Sequence, residues 1–126
     1  MLHLALVASG GAAGALSRFA LSSFSKLLIY NNFYATFFIN IIGSFLIGYL
    51  ISLGYTKNFS ENFIKYFLII GFLGSFTTFS AFSYEVVDLL MSKKYISSIL
   101  YIINSVILCI LAAYLGIYIN KNWLKF

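Results

Sequence analysis

Apolar residues run almost unbroken along this chain, and polar ones gather at three joints. Leu2 to Leu21, Phe33 to Leu53, Phe63 to Met91 and Ile96 to Ile119 are each of a length to cross a bilayer, which takes about 20 residues of helix. Between them lie Ser22, Ser23, Ser25 and Lys26 followed by the turn-like pair Asn31 and Asn32, then Tyr55 to Asn62, then Lys93 and Lys94. The pattern predicts an all-α membrane protein, a single domain over 1–126 with four spans at 2–21, 33–53, 63–91 and 96–119. Ser60 reads as a helix N-cap and Glu61 with Lys65 as an i,i+4 pair. Lys121, Trp123 and Lys125 read as an interfacial belt closing the last span.

One span departs from the pattern. From Gly71 to Phe82 the third carries two glycines, four hydroxyls and four phenylalanines where Leu, Ile and Val would be ordinary. Irregular backbone survives at membrane depth only where protein or a water-lined cavity satisfies its amides and carbonyls. The expectation is a helix broken over 71–78, at a place that handles something other than lipid. With no proline in the chain, glycine and hydroxyl residues must make the break.

Composition agrees: 62% hydrophobic and 9% charged over 126 residues is a membrane composition with no room for a soluble domain. The pI of 9.4 does not point to nucleic acid, because the eight basic residues are scattered along the chain and form no stripe. They also divide evenly between the two faces. Lys57, Lys65, Lys121 and Lys125 fall on one side, Arg18, Lys26, Lys93 and Lys94 on the other, so the positive-inside rule selects no orientation. Insertion both ways, compatible with an antiparallel homodimer, and a weak bias hidden by boundary errors both remain open. The first span is read as retained, since no charged opening of a secretory signal precedes it.

The candidate chemistry is polar and neutral. Thr36, Asn40 and Ser44 lie at i, i+4 and i+8 in the second span, and Tyr101, Ser105 and Cys109 repeat that spacing in the fourth. Each set falls on one helix face. Such donors suit an anion, although helix packing also uses a buried Asn. Phe79 and Phe82 share a face if the helix resumes near Thr78, and their ring edges are electropositive. A break also frees carbonyls near Gly74 and Thr77, which can coordinate a cation. Gly10 and Gly14 form a close-packing pair. Arg18, one turn before the end of the first span, either snorkels to the headgroups or attracts anions at a pore mouth. Glu85 calls for a partner such as Arg18 or a lysine. His3 reads as a solvated end residue, and the lone Cys109 excludes an internal disulfide. No nucleophile with a base is present, so no enzyme is expected.

Three segments in order, Gly10 to Phe19, Thr36 through Asn40 to Phe45, and Gly71 to Phe82, resemble the motifs of the Fluc/CrcB family of fluoride channels, over the whole chain length. The resemblance implies a dual-topology, antiparallel dimer in the cell membrane with two fluoride pathways, giving passive export of fluoride from the cytoplasm. It implies pathway roles for Asn40, Phe79, Phe82, Tyr101, Ser105 and Cys109, and a vestibule role for Arg18. It also implies a central sodium ion on the Gly74 and Thr77 carbonyls of both subunits. Ala81 and Cys109 depart from the threonine and hydroxyl usual at those places. A small multidrug-type proton-coupled exporter and a non-conducting assembly subunit are the competing readings; the first needs a deep carboxylate, typically in the first span, which has none.

Overall fold

The computed structural model describes residues 1–29, 32–53 and 61–123, and these are almost wholly helical. Helices α1 (Leu2–Ile29) and α2 (Asn32–Leu53) are continuous. The third span is a π-helical segment (Phe63–Leu73), one α turn, α3 (Gly74–Phe76), and, after two non-helical residues, α4 (Phe79–Met91); α5 (Tyr95–Trp123) follows. Four stretches are long and apolar enough to cross a bilayer, Leu2–Leu27, Phe33–Leu53, Phe63–Met91 and Tyr95–Ile119. The chain is a multi-pass membrane protein.

Two boundaries differ from the sequence expectation. The first helix does not loosen at Ser22 but continues to Ile29, because serine and lysine cost a helix little and no glycine or proline interrupts that stretch. The break expected over 71–78 contracts to Thr77 and Thr78, at φ/ψ of −75/154° and −149/120°. Residues 71–76 stay helical because every amide remains available; the Gly74 N–H reaches the Ile69 carbonyl in the wider π winding. The expected turn at Asn31, the connection over 55–60 with Lys57 and Ser60, and the side chains of Lys121, Trp123 and Lys125 lie outside the described residues. Lys65 does not pair with Glu61. Its Nζ lies 5.4 Å from the Tyr66 ring centroid, and His3 stacks on that ring at 4.0 Å.

Two interfaces dominate the packing, α1 against the π segment and α2 against α5. Without a hydrophobic drive between helices in lipid, close van der Waals approach has to hold them. Gly10 and Gly14 bring α1 onto the Phe67 and Phe72 carbonyls, and a Cβ at either position would overlap those oxygens. Gly48 and Gly116 join α2 to α5 in the same way, each against the partner helix's backbone. The buried apolar cluster of Ala35, Ile39, Leu73 and Phe76 lies between α2 and the third span. Between α4 and α5 the chain reverses through a Schellman motif, with the Lys94 N–H on the Leu89 carbonyl (2.9 Å) and the Lys93 N–H on the Leu90 carbonyl (3.0 Å). Lys93 takes the left-handed position at φ 59°.

Gly48→Val drives a branched side chain into the Ala113 backbone. It should lower stability by about 1–3 kcal/mol or more, read as a lower unfolding midpoint in detergent. Ile110→Val, on the exposed side of α5, should change it by less than about 0.5 kcal/mol.

Candidate functional site

Where Thr77 and Thr78 leave the helix, the backbone loses its ladder partners in a place where water is scarce. Asn40, from the middle of α2, replaces both at Thr78. Its Nδ2 donates to the Thr78 carbonyl at 3.0 Å and its Oδ1 accepts from the Thr78 N–H at 2.9 Å. Thr78 in turn caps α4, its Oγ1 accepting from the Ala81 N–H at 3.2 Å. Thr77 closes α3 by donating its N–H (3.1 Å) and Oγ1 (2.9 Å) to the Leu73 carbonyl. From α1, Arg18 Nε donates to the Ser75 carbonyl at 3.1 Å, setting a cation at the carbonyl end of α3.

Two carbonyls are left over. The Thr78 N–H, which would serve Gly74 in an unbroken helix, is turned to Asn40. The Ala81 N–H, which would serve Thr77, is turned to Thr78 Oγ1. No donor among the described residues reaches either oxygen. Bare carbonyl oxygens are the ligands that hard cations take, and the described residues contain no cluster of three His, Cys, Asp or Glu that could hold a metal ion otherwise.

Beside the break lies a cavity of about 310 Å³ between α2, the third span and α5. Asn40, Ser44, Phe79, Phe82, Ser105 and Cys109 are among its lining residues, together with Gly74 and Thr77, and no charged side chain is among the described residues that line it. Ser105 is 6% exposed, and its Oγ has no partner of good hydrogen-bond geometry among the described residues. A buried hydroxyl left unpaired is costly, which makes this one a candidate donor to a solute. Asn40 uses one amide hydrogen on Thr78 and has a second to offer. The Phe79 and Phe82 rings stand 5.4 Å apart at 46°. Phe82 is buried, whereas Phe79 is 76% exposed. What the cavity presents is a set of neutral donors and aromatic rings, which can surround a small anion without trapping it against a fixed charge.

The structure therefore brings together five of the six residues assigned to the pathway, and the sixth, Tyr101, lines a neighbouring cavity. The Tyr101 hydroxyl donates to Glu85 Oε2 at 2.6 Å, while Thr36 Oγ1 donates to Glu85 Oε1 at 2.6 Å. Glu85, 6% exposed, is thus satisfied by two hydroxyls. The expected partners, Arg18 or a lysine, do not reach it, because Arg18 is bound to the break. Arg18 also lies deeper than one turn from the helix end, since α1 runs eleven residues past it, and it lines neither cavity. Sequence reasoning did not find the role of Thr78. A hydroxyl just before a helix restart is a capping signal, but its clasp by Asn40 spans 38 positions.

Residues 5–117 match the sequence profile of the family described as CrcB-like protein, Camphor Resistance (CrcB). A protein of Campylobacter jejuni named fluoride-specific ion channel FluC is 44% identical over 119 residues, covering 94% of this chain and 97% of that protein. Proteins of the same name from Dehalococcoides mccartyi and Magnetococcus marinus are each 37% identical. They match over 122 and 121 residues, covering 96% and 95% of this chain and 94% and 98% of theirs.

Asn40→Ala strands the Thr78 amide and carbonyl, and Thr36→Val strands one Glu85 oxygen. At about 1–3 kcal/mol for each buried group left unpaired, thermal unfolding in detergent should show both variants destabilised, Asn40→Ala the more.

Proposed function

The chain belongs to the CrcB-like family, and from that premise we propose that it is a fluoride channel giving passive export from the cytoplasm across the cell membrane. The observation that carries the reading is the Ser105 hydroxyl, buried and without a partner among the described residues, in a cavity lined by neutral donors and by Phe79 and Phe82. The names of the relatives supply the ion. Fluoride is small and tightly hydrated, so a pathway must return in donors what it removes in water. Ser105, the second amide hydrogen of Asn40, the Cys109 thiol and the edges of Phe79 and Phe82 would do this in turn. Tyr101 would contribute chiefly its ring, 5.3 Å from that of Phe82, because Glu85 holds its hydroxyl. Arg18 would act by holding the break in place and by its charge near the vestibule.

Hydrogen fluoride crosses membranes uncharged and dissociates inside, so an anion leak runs outward under a negative-inside potential. That potential contributes about 2.3 kcal/mol per charge per 100 mV, and no other energy source is required. A proton-coupled exporter would need a deep carboxylate free to exchange a proton for substrate, whereas both oxygens of Glu85 are occupied.

Two antiparallel copies complete the arrangement. Gly74, Phe79 and Ser80 are exposed on the single chain although they lie within a span. Lipid cannot satisfy the bare Gly74 carbonyl there, and a second copy would cover it. The balanced positive charge on the two faces permits the opposite orientation. At that contact the Gly74 and Thr77 carbonyls of each copy would hold a sodium ion, whose charge would offset the crowded carbonyl dipoles.

Liposomes containing the purified protein should release fluoride to an electrode while retaining chloride; no fluoride release would overturn the reading. Ser105→Ala removes a donor worth about 1.5 kcal/mol or more to a charged group and should slow release by about tenfold, and Phe79→Ile or Phe82→Ile should impair it while the protein still assembles. A small methanethiosulfonate reagent should block flux through Cys109, and Cys109→Ser should abolish the block.

A further inference from the structure

A second cavity, of about 500 Å³, opens between α2 and α5 beside the first. Its walls are largely aromatic, but α5 and the residue preceding it give it a polar stripe of Lys94, Ser97, Tyr101 and Asn104. The spacings of three, four and three keep these on one helix face, rising about 15 Å from the membrane surface inward at 1.5 Å per residue. Asn104 is followed by Ser105, so the two cavities are lined by neighbouring residues of α5. The Tyr101 and Phe82 rings, 5.3 Å apart, stand at the junction.

Two groups in this cavity have no partner among the described residues. The Asn104 amide is exposed and meets no partner among the described residues, amid exposed Ile102, Ile103, Val106 and Ile107. In hydrocarbon an unpaired amide is costly, so Asn104 has to meet water, a solute or the second copy. The Lys94 ammonium forms no ion pair among the described residues. Glu85 is covered by Thr36 and Tyr101 and does not line the cavity.

We infer that this second cavity is the outer chamber of the anion path, with Lys94 gathering anions at its mouth and Asn104 handing them past the Tyr101–Phe82 junction to Ser105. The inference rests on the channel reading and assigns to it two residues outside the Ser105 cavity. A lysine suits the task because it is a compact, strongly hydrated charge on a flexible stem, attracting an anion without clamping it. An anionic lipid headgroup shares the chemistry that Lys94 recognises. The ion is favoured because the polar stripe continues beyond headgroup depth to the unpaired Ser105.

The test is fluoride release from liposomes of neutral lipid at low and at high ionic strength. The screening length falls from about 30 Å at 0.01 M to about 3 Å at 1 M. Lys94→Gln should slow release by about tenfold at low salt, at the lower end of what local charge contributes to ion capture, and match the wild type at high salt. Lys94→Arg should keep the wild-type rate at both. Asn104→Leu should slow release at both salts, with the protein still eluting at its wild-type size. Wild-type release with Lys94→Gln and Asn104→Leu unchanged would overturn the chamber and leave the channel reading standing. A Lys94→Gln effect confined to anionic lipid would also overturn it, assigning the cavity to a headgroup. No release by the wild type would instead remove the channel reading itself.

Discussion

Everything around the third span depends on one requirement of the bilayer: a backbone amide or carbonyl in hydrocarbon has to find a partner within the protein. The chain stops being helical for two residues, and the two bonds from Asn40 to Thr78 make that tolerable. Both polar atoms of the amide are used, so an apolar residue of similar shape could not replace it. Once Thr78 is held, its hydroxyl caps α4 and fixes the direction in which Phe79 and Phe82 project. The cost of the break is carried by α2, and its consequence is borne by α4.

The same requirement explains why the break is useful. Turning the Thr78 and Ala81 amides toward other acceptors leaves the Gly74 and Thr77 carbonyls without donors, while Arg18 occupies only that of Ser75. Donors are likewise left over on α2 and α5. The site is thus built from residual hydrogen-bonding capacity on neutral groups, in a cavity whose described lining carries no charge. Neutral donors can be exchanged from one anion position to the next, whereas a fixed cation in a low-dielectric cavity would hold an anion in place.

Glycine sets the distances at which this happens. Gly10 and Gly14 hold α1 on the π segment, and from there Arg18 reaches Ser75. Gly48 and Gly116 hold α2 on α5, which brings Thr36 and Tyr101 to opposite oxygens of the Glu85 carboxylate on α4. A carboxylate at this depth is satisfied only because three helices meet there. It is as much a fastening of the bundle as the apolar cluster of Ala35, Ile39, Leu73 and Phe76.

Local signals in the chain were sufficient for several of these features. Hydropathy alone determines the four spans, because a bilayer imposes a minimum apolar length. Glycines, hydroxyls and phenylalanines mark where the third span fails, and i,i+4 spacing puts Thr36 with Asn40, and Ser105 with Cys109, on shared faces. The local sequence could not tell that only Thr77 and Thr78 would leave the helix, since nothing nearby bars 71–76 from helical winding. Nor could it assign partners. Arg18 to Ser75, Thr36 to Glu85 and Asn40 to Thr78 join positions 57, 49 and 38 apart. Helix periodicity says which side chains share a face but not which face they meet. Tertiary packing made that choice, because Arg18, Thr36 and Asn40 each take a complementary group that close helix approach brings within reach.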